Sequence, residues 1–210
     1  MKRIMKLVDD DLDLSVFDRF IGRFCSDIII ELSLEMNAAS KSFLRTFVDK
    51  LVESPLVDFD TSNHIVKTVR MVRPLRVKES MSLRVVDYCS MIGQKWDNSD
   101  FRKELSKKYL FFVFEGVSSI DSTLFRGVIE YSFSEEDLRE AERVWSDTIS
   151  KMRDGNYDTF ITEKESGTFF FKIHASTASD VVTIPGGGKS VKRSFWIAKK
   201  FIDNRILTML

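Results

Sequence analysis

The chain has 210 residues, 43% of them hydrophobic and 12% aromatic, with 32 basic and 32 acidic side chains. That composition supports a buried core and excludes disorder, while the longest strongly apolar run, Leu110 to Phe114, is far too short to span a bilayer. Met1-Lys2-Arg3 leads into acids rather than into a secretory apolar stretch, so a cytoplasmic location without membrane contact is expected.

Zero net charge conceals segregation. Residues 1–63 carry net −4, residues 64–110 net +6, residues 111–185 net −7 and residues 186–210 net +5. Two basic blocks separated by an acidic one can converge on one face and attract phosphates, or each can solvate its own surface. Cys25 and Cys89 stand alone, and with His64 and His174 they assemble no zinc cluster at normal ligand spacing, so both read as buried thiols.

In chain order, Met1 to Asp13 is a polar leader. From Ser15, the residues Val16, Phe17, Phe20, Ile21, Phe24 and Ile28 recur at helical spacing, which predicts one amphipathic helix running toward Met36. A second helix begins near Ser40, with Phe43, Leu44, Phe47, Val48 and Leu51 on one side, and stops before Pro55. Acidic, turn-prone residues from Asp58 then run into a β-branched strand. On it Ile65, Lys67 and Val69 share one side and Val66 and Thr68 the other.

Arg70, Arg73, Arg76 and Lys78 lie around Pro74 in an exposed connection. Residues 80–92 fit either a strand, with Met81, Leu83 and Val85 alternating, or a helix lined by Leu83, Val86, Tyr88 and Met91. Trp96 to Ser106 reads as a short basic helix. Tyr109 to Glu115 and Leu124 to Phe133 read as neighbouring antiparallel strands.

Ser134 followed by Glu135, Glu136 and Asp137 signals a helix start, and Leu138, Ala141, Trp145, Thr148, Ile149 and Met152 form its inner stripe before Gly155. Thr168 to Ile173 is an aromatic strand. Pro185-Gly186-Gly187-Gly188-Lys189-Ser190 lacks the first glycine that a nucleotide phosphate loop requires, since Thr183 stands there, and reads as a flexible basic loop. Ser194 to Leu207 closes the chain as an amphipathic helix or a strand-to-helix unit. Residues 1–210 are expected to form one domain, with residues 1–39 as leader and helix.

One stretch carries a resemblance. Asp58-Phe59, followed by Ile65-Val66-Lys67-Thr68-Val69, resembles the Asp-x6-Glu-x-Lys signature of the MutH mismatch-repair nicking endonucleases and the GATC-cutting type II restriction enzymes. The likeness continues through Lys78-Glu79-Ser80-Met81-Ser82, Trp96-Asp97, Lys107 to Val113, Trp145-Ser146-Asp147-Thr148 and Arg193-Ser194-Phe195-Trp196-Ile197, covering roughly residues 40–208 in order. It implies an α/β (α+β) restriction-endonuclease-like fold, with a mixed central sheet flanked by helices and a DNA-binding cleft. It also favours a strand for the first part of residues 80–92.

In such enzymes the Asp and the strand Glu fix a magnesium ion beside the lysine. Here Ile65 takes the place of the Glu, which removes an anionic ligand, so Lys67 becomes a vestige of the active site. Asp58 and Asp60 are the remaining metal candidates, needed only if Mg2+ is used. Lys41 and Asp49 match an assisting lysine and acid. Phosphate contact survives that loss because it relies on basic residues.

The DNA-binding candidates are therefore Lys41, Arg70, Arg73, Arg76, Lys107, Lys108, Lys189, Lys192 and Arg193. His174 and Ser176 stand where the family's base-reading loop would be. The expected function is a non-catalytic domain that binds double-stranded DNA as an effector of, or companion to, a catalytic endonuclease domain or subunit. The alternatives are an active Mg-dependent restriction or nicking enzyme cutting at GATC, and a protein-interaction domain that has lost DNA binding.

Overall fold

In a computed structural model of the chain, residues 12–37, 42–72, 76–116, 119–177 and 179–210 are described. Lys41, Arg73, residues 1–11 of the polar leader and the predicted start of the second helix at Ser40 lie outside them. The predicted first helix is divided. Ser15–Phe20 forms a 3-10 turn and α1 runs Cys25–Leu32. Between them Gly22 takes φ 79°, a conformation cheap for glycine alone.

The segment that divides the helix bonds to a strand edge instead. Gly22 N–H donates to the Phe125 carbonyl at 2.7 Å and Cys25 N–H to the Thr123 carbonyl at 2.8 Å, while Phe125 N–H donates to the Arg23 carbonyl at 2.9 Å. Backbone pairing thus overrides an apolar pattern that would have continued the helix. α2, Phe43–Glu53, follows and buries Phe43, Leu44, Phe47, Val48 and Leu51 as its periodicity predicts.

The first sheet has the order β2-β1-β4-β5. β1 (His64–Val72) runs parallel to β4 (Lys108–Glu115), while β2 (Arg76–Val77) and β5 (Leu124–Tyr131) are antiparallel to their neighbours. β4 is buried at every position from Tyr109 to Glu115, which is why it reads as an unbroken apolar run rather than an alternating one. One face, through Leu110, Phe112, Phe114 and Phe125, packs on the N-terminal turn, α1 and α2. Its other face, through Val69, Met71, Tyr109, Phe111 and Val113, packs on the rest of the molecule.

That remainder is built around a second sheet of order β3-β9-β6. Its strands are β3 (Met81–Val85), β6 (Phe169–Ile173) and β9 (Arg193–Ile197), all antiparallel. Short helices α3 (Tyr88–Met91) and α4 (Asp100–Leu105), and the long α5 (Glu135–Arg153), fill the space against it. The ambiguous residues 80–92 therefore resolve as both, a strand and then a helix whose N-terminus Asp87 caps, and on that helix Cys89 is exposed, so of the two expected buried thiols Cys25 alone is buried. α6 (Glu163–Ser166) precedes β6, and a hairpin of β7 (Val181–Thr183) and β8 (Lys189–Val191) encloses the glycine-rich loop. α7 (Lys199–Phe201) and further helical turns reach Met209.

Candidate nucleic-acid cleft

Alternation along β1 sends Ile65, Lys67, Val69 and Met71 to the side of the second sheet, and Val66 to the side of α2. Lys67 therefore reaches across the gap between the sheets, where its Nζ donates to the Ser82 carbonyl of β3 at 2.9 Å. A cleft of about 500 Å3 opens here, lined by Arg45 of α2, Lys67 and Arg70 of β1, Glu79, Ser82 and Trp196 of β9. Arg45 is aimed by an Nε contact to Asp49 at 3.0 Å and an NH1 bond to the Val66 carbonyl at 2.9 Å. The Arg70 guanidinium lies 5.5 Å from the Phe43 ring centre.

Trp196 extends the cleft onto the outer face of the second sheet. Lys172 Nζ stands 5.2 Å from its ring centre and the His174 ring 5.8 Å away. His174 Nδ1 contacts Ser194 Oγ at 3.3 Å. Cations interleaved with an aromatic face suit a phosphate backbone and its bases.

Beside the Ile65 end of β1 lies a second groove of about 800 Å3, lined among others by Arg84, Lys103, Glu104 and Lys107. Glu104, from α4, accepts from Arg84 N–H at 3.3 and 3.4 Å through its two oxygens. Burial pushes the Glu104 carboxyl above its ordinary 4.5, and the neighbouring Lys67 charge opposes that shift. Burial likewise pulls Lys67 below its ordinary 10.5, with Glu104 opposing and Arg45 adding to the fall. Each group feels the other's charge, and in both the desolvation outweighs the attraction.

The predicted site residues are distributed unevenly. Lys67 and Arg70 share the cleft, and His174 reaches it through Trp196. Lys107 lies in the adjoining groove. Arg76 is exposed on β2, and Ser176 and Lys189 are exposed near the hairpin. Lys192 pairs with Asp180. Lys108 stands 3.6 Å from Glu130, which also takes His64 Nε2 at 2.9 Å.

Arg193 faces inward. It is 9% exposed, donates to the Tyr157 carbonyl at 3.1 Å and lies 5.1 Å from the Phe160 ring centre, so its charge serves the core side of β9.

The acids do not gather. Asp58 is exposed at the exit of α2 with φ 44° and its N–H on the Ser54 carbonyl. Asp60 is held by Ser62, from its N–H at 2.8 Å and its hydroxyl at 3.0 Å, which keeps that carboxyl below its ordinary range. Asp49 is engaged by Arg45. Ile65 supplies no oxygen, and among the described residues no group of three His, Cys, Asp or Glu side chains is placed to hold a metal ion. Among the described residues, Ile65 and the engaged Asp49 and Asp60 therefore do not fit a magnesium site.

Arg45, Lys172 and Glu104 were not singled out by sequence, and Trp196 entered only as part of the resemblance. The Arg45–Asp49 spacing of one helical turn and the interleaving of Phe170, Lys172 and His174 were the available signals. Nothing local marks Glu104, which reaches Lys67 only through the fold.

A mixed sheet flanked by helices, with a basic cleft beside it, is compatible with the restriction-endonuclease-like fold. No protein-family model matches the chain. Over 107 residues it is 30% identical to the type II restriction enzyme Sau3AI of Staphylococcus aureus, an alignment that takes in 47% of this chain and 22% of the enzyme. That stretch supports a restriction-endonuclease relationship, and it spans about a fifth of the relative's length. No helix among the described residues is long and apolar enough to cross a membrane.

Proposed function

We propose that the chain is a duplex-DNA-binding domain of restriction-endonuclease descent whose cutting centre is not assembled, acting as effector of or companion to a catalytic domain or subunit. One observation carries this reading. Lys67 sits in a cleft with Arg45 and Arg70, bonded to the Ser82 carbonyl, while its same-face neighbour two residues earlier is Ile65. The cleft keeps Arg45, Lys67 and Arg70 for phosphates, and although Glu79 also lines it, an apolar branch stands at the strand position of the acid. The similarity to a type II restriction enzyme supports the choice of DNA as partner. The sequence resemblance to GATC-cutting enzymes makes GATC the first site to try.

The test pairs binding with cleavage on GATC and scrambled duplexes, with and without magnesium. The expected result is duplex binding that weakens steeply with salt, by about 0.9 in log K per phosphate contact for each decade of salt, with no cutting. Arg45→Ala should weaken binding on every sequence and reduce the salt slope by about 1. Absence of binding at low salt rejects the reading. Magnesium-dependent cutting that Lys67→Ala abolishes replaces it with an endonuclease.

A further inference from the structure

One side chain in the basic cleft has the wrong sign for a phosphate. Glu79 lies exposed between β2 and β3 and lines the cleft together with Arg45, Lys67 and Arg70. Each of those cations is held by something else. Arg45 is engaged by Asp49 and the Val66 carbonyl, Lys67 by the Ser82 carbonyl, and Arg70 lies against the Phe43 ring. Glu79 shares their cleft and has no hydrogen bond or ion pair among the described residues.

The backbone that carries it is clamped on both flanks. Lys78 N–H donates to the Arg70 carbonyl of β1 at 2.9 Å. On the other flank the Ser80 hydroxyl donates to Glu163 of α6 at 2.7 Å and accepts from Lys199 N–H of α7 at 3.3 Å. Glu79 is therefore presented to the cleft from a fixed main chain.

An unpaired carboxylate in that position opposes every phosphate drawn in by the three cations. The opposition is offset only where the bound duplex offers an N–H donor. Phosphates and the deoxyriboses within a strand have none, so the donor must be an exocyclic amine on a base edge.

We propose that Glu79 is a specificity-determining residue whose carboxylate accepts a hydrogen bond from the N4 amine of a cytosine in the major groove. The proposal rests on the DNA-binding reading above. Edge chemistry selects the base. Cytosine shows the major groove a donor alone, whereas adenine sets its N6 donor beside the N7 acceptor, which would confront the second carboxylate oxygen. Guanine and thymine show only acceptors there. The same charge then works against all other sequences, so discrimination comes from repulsion as well as from attraction.

The test uses the full chain without magnesium and a pool of duplexes randomised over a central segment. Bound duplexes are sequenced, and affinities of recovered sequences are measured by anisotropy. The chain should enrich cytosine at one position, and Glu79→Ala should lose that enrichment. Glu79→Gln, whose amide offers a donor beside an acceptor, should enrich adenine there instead, which also shows that the altered chain is folded. In a recovered duplex, zebularine in place of that cytosine keeps the ring and removes the amine. Affinity of the unaltered chain should fall about tenfold, and that of Glu79→Ala should not change.

Duplex binding without cytosine enrichment, or with enrichment that survives Glu79→Ala, overturns the proposal and leaves the DNA reading intact. So does a change in affinity on Glu79→Ala that is uniform across sequences, which marks the carboxylate as a surface charge that merely repels phosphates. If no duplex is bound at low salt, the DNA reading falls and the proposal falls with it.

Discussion

Lys67 and Glu104 are two opposite charges held near each other in a half-buried gap, and their proton affinities move toward neutrality. For Glu104 the folded chain binds its proton more tightly than the unfolded chain does. Stability therefore falls as pH rises from 4.5 through the folded-state value. For Lys67 the shift runs the other way, and stability rises as pH climbs through the folded-state value toward 10.5.

Glu104→Gln should flatten the acid-side decline, read as the urea midpoint followed from pH 4.5 to neutrality; an unchanged slope contradicts the shift. Lys67→Met leaves the Ser82 carbonyl without its donor and Glu104 without its counter-charge. A loss of about 1–3 kcal/mol is expected from urea unfolding at neutral pH. Ile65→Glu restores the acid in sequence while Asp60 stays bonded to Ser62 and Asp49 to Arg45. Plasmid incubated with that variant and magnesium should stay uncut.

Elements with strong local signals were legible in the sequence. α5 begins at the predicted Ser134, whose hydroxyl accepts from Asp137 N–H at 3.2 Å while the Asp137 carboxylate takes Ser134 N–H at 2.9 Å. Ser134→Ala should cost about 0.5–2 kcal/mol by thermal or urea unfolding, and no loss would mean the cap is redundant. β4 and β5 also form the antiparallel pair that their composition indicates.

What local pattern hides is anything settled by a distant backbone. The first helix divides because residues 22–25 pair with β5 near Phe125, a contact invisible in apolar spacing. In the same way, the basic residues looked equivalent by charge alone. Only the fold turns Arg193 inward against Phe160 and sets Arg45 over β1.

At the scale of the whole molecule, β4 joins two cores, since its alternate residues serve opposite layers. Phe112 lies at 0% exposure on the helical side, edge-on to Phe17 at 5.4 Å. Phe112→Ala should cost about 3–5 kcal/mol, measured by urea denaturation, with the N-terminal turn loosening first under hydrogen exchange.

The pairing of β3 with β9, Met81 opposite Ile197, has a temporal consequence. On the ribosome β4 finds β1 already made and β5 soon after it, whereas β3 emerges long before β9 has been synthesised and waits with unsatisfied edges until then. A nascent chain stalled ahead of Arg193 would carry a paired first layer and two orphan strands. That intermediate is the one for which a chaperone has something to hold.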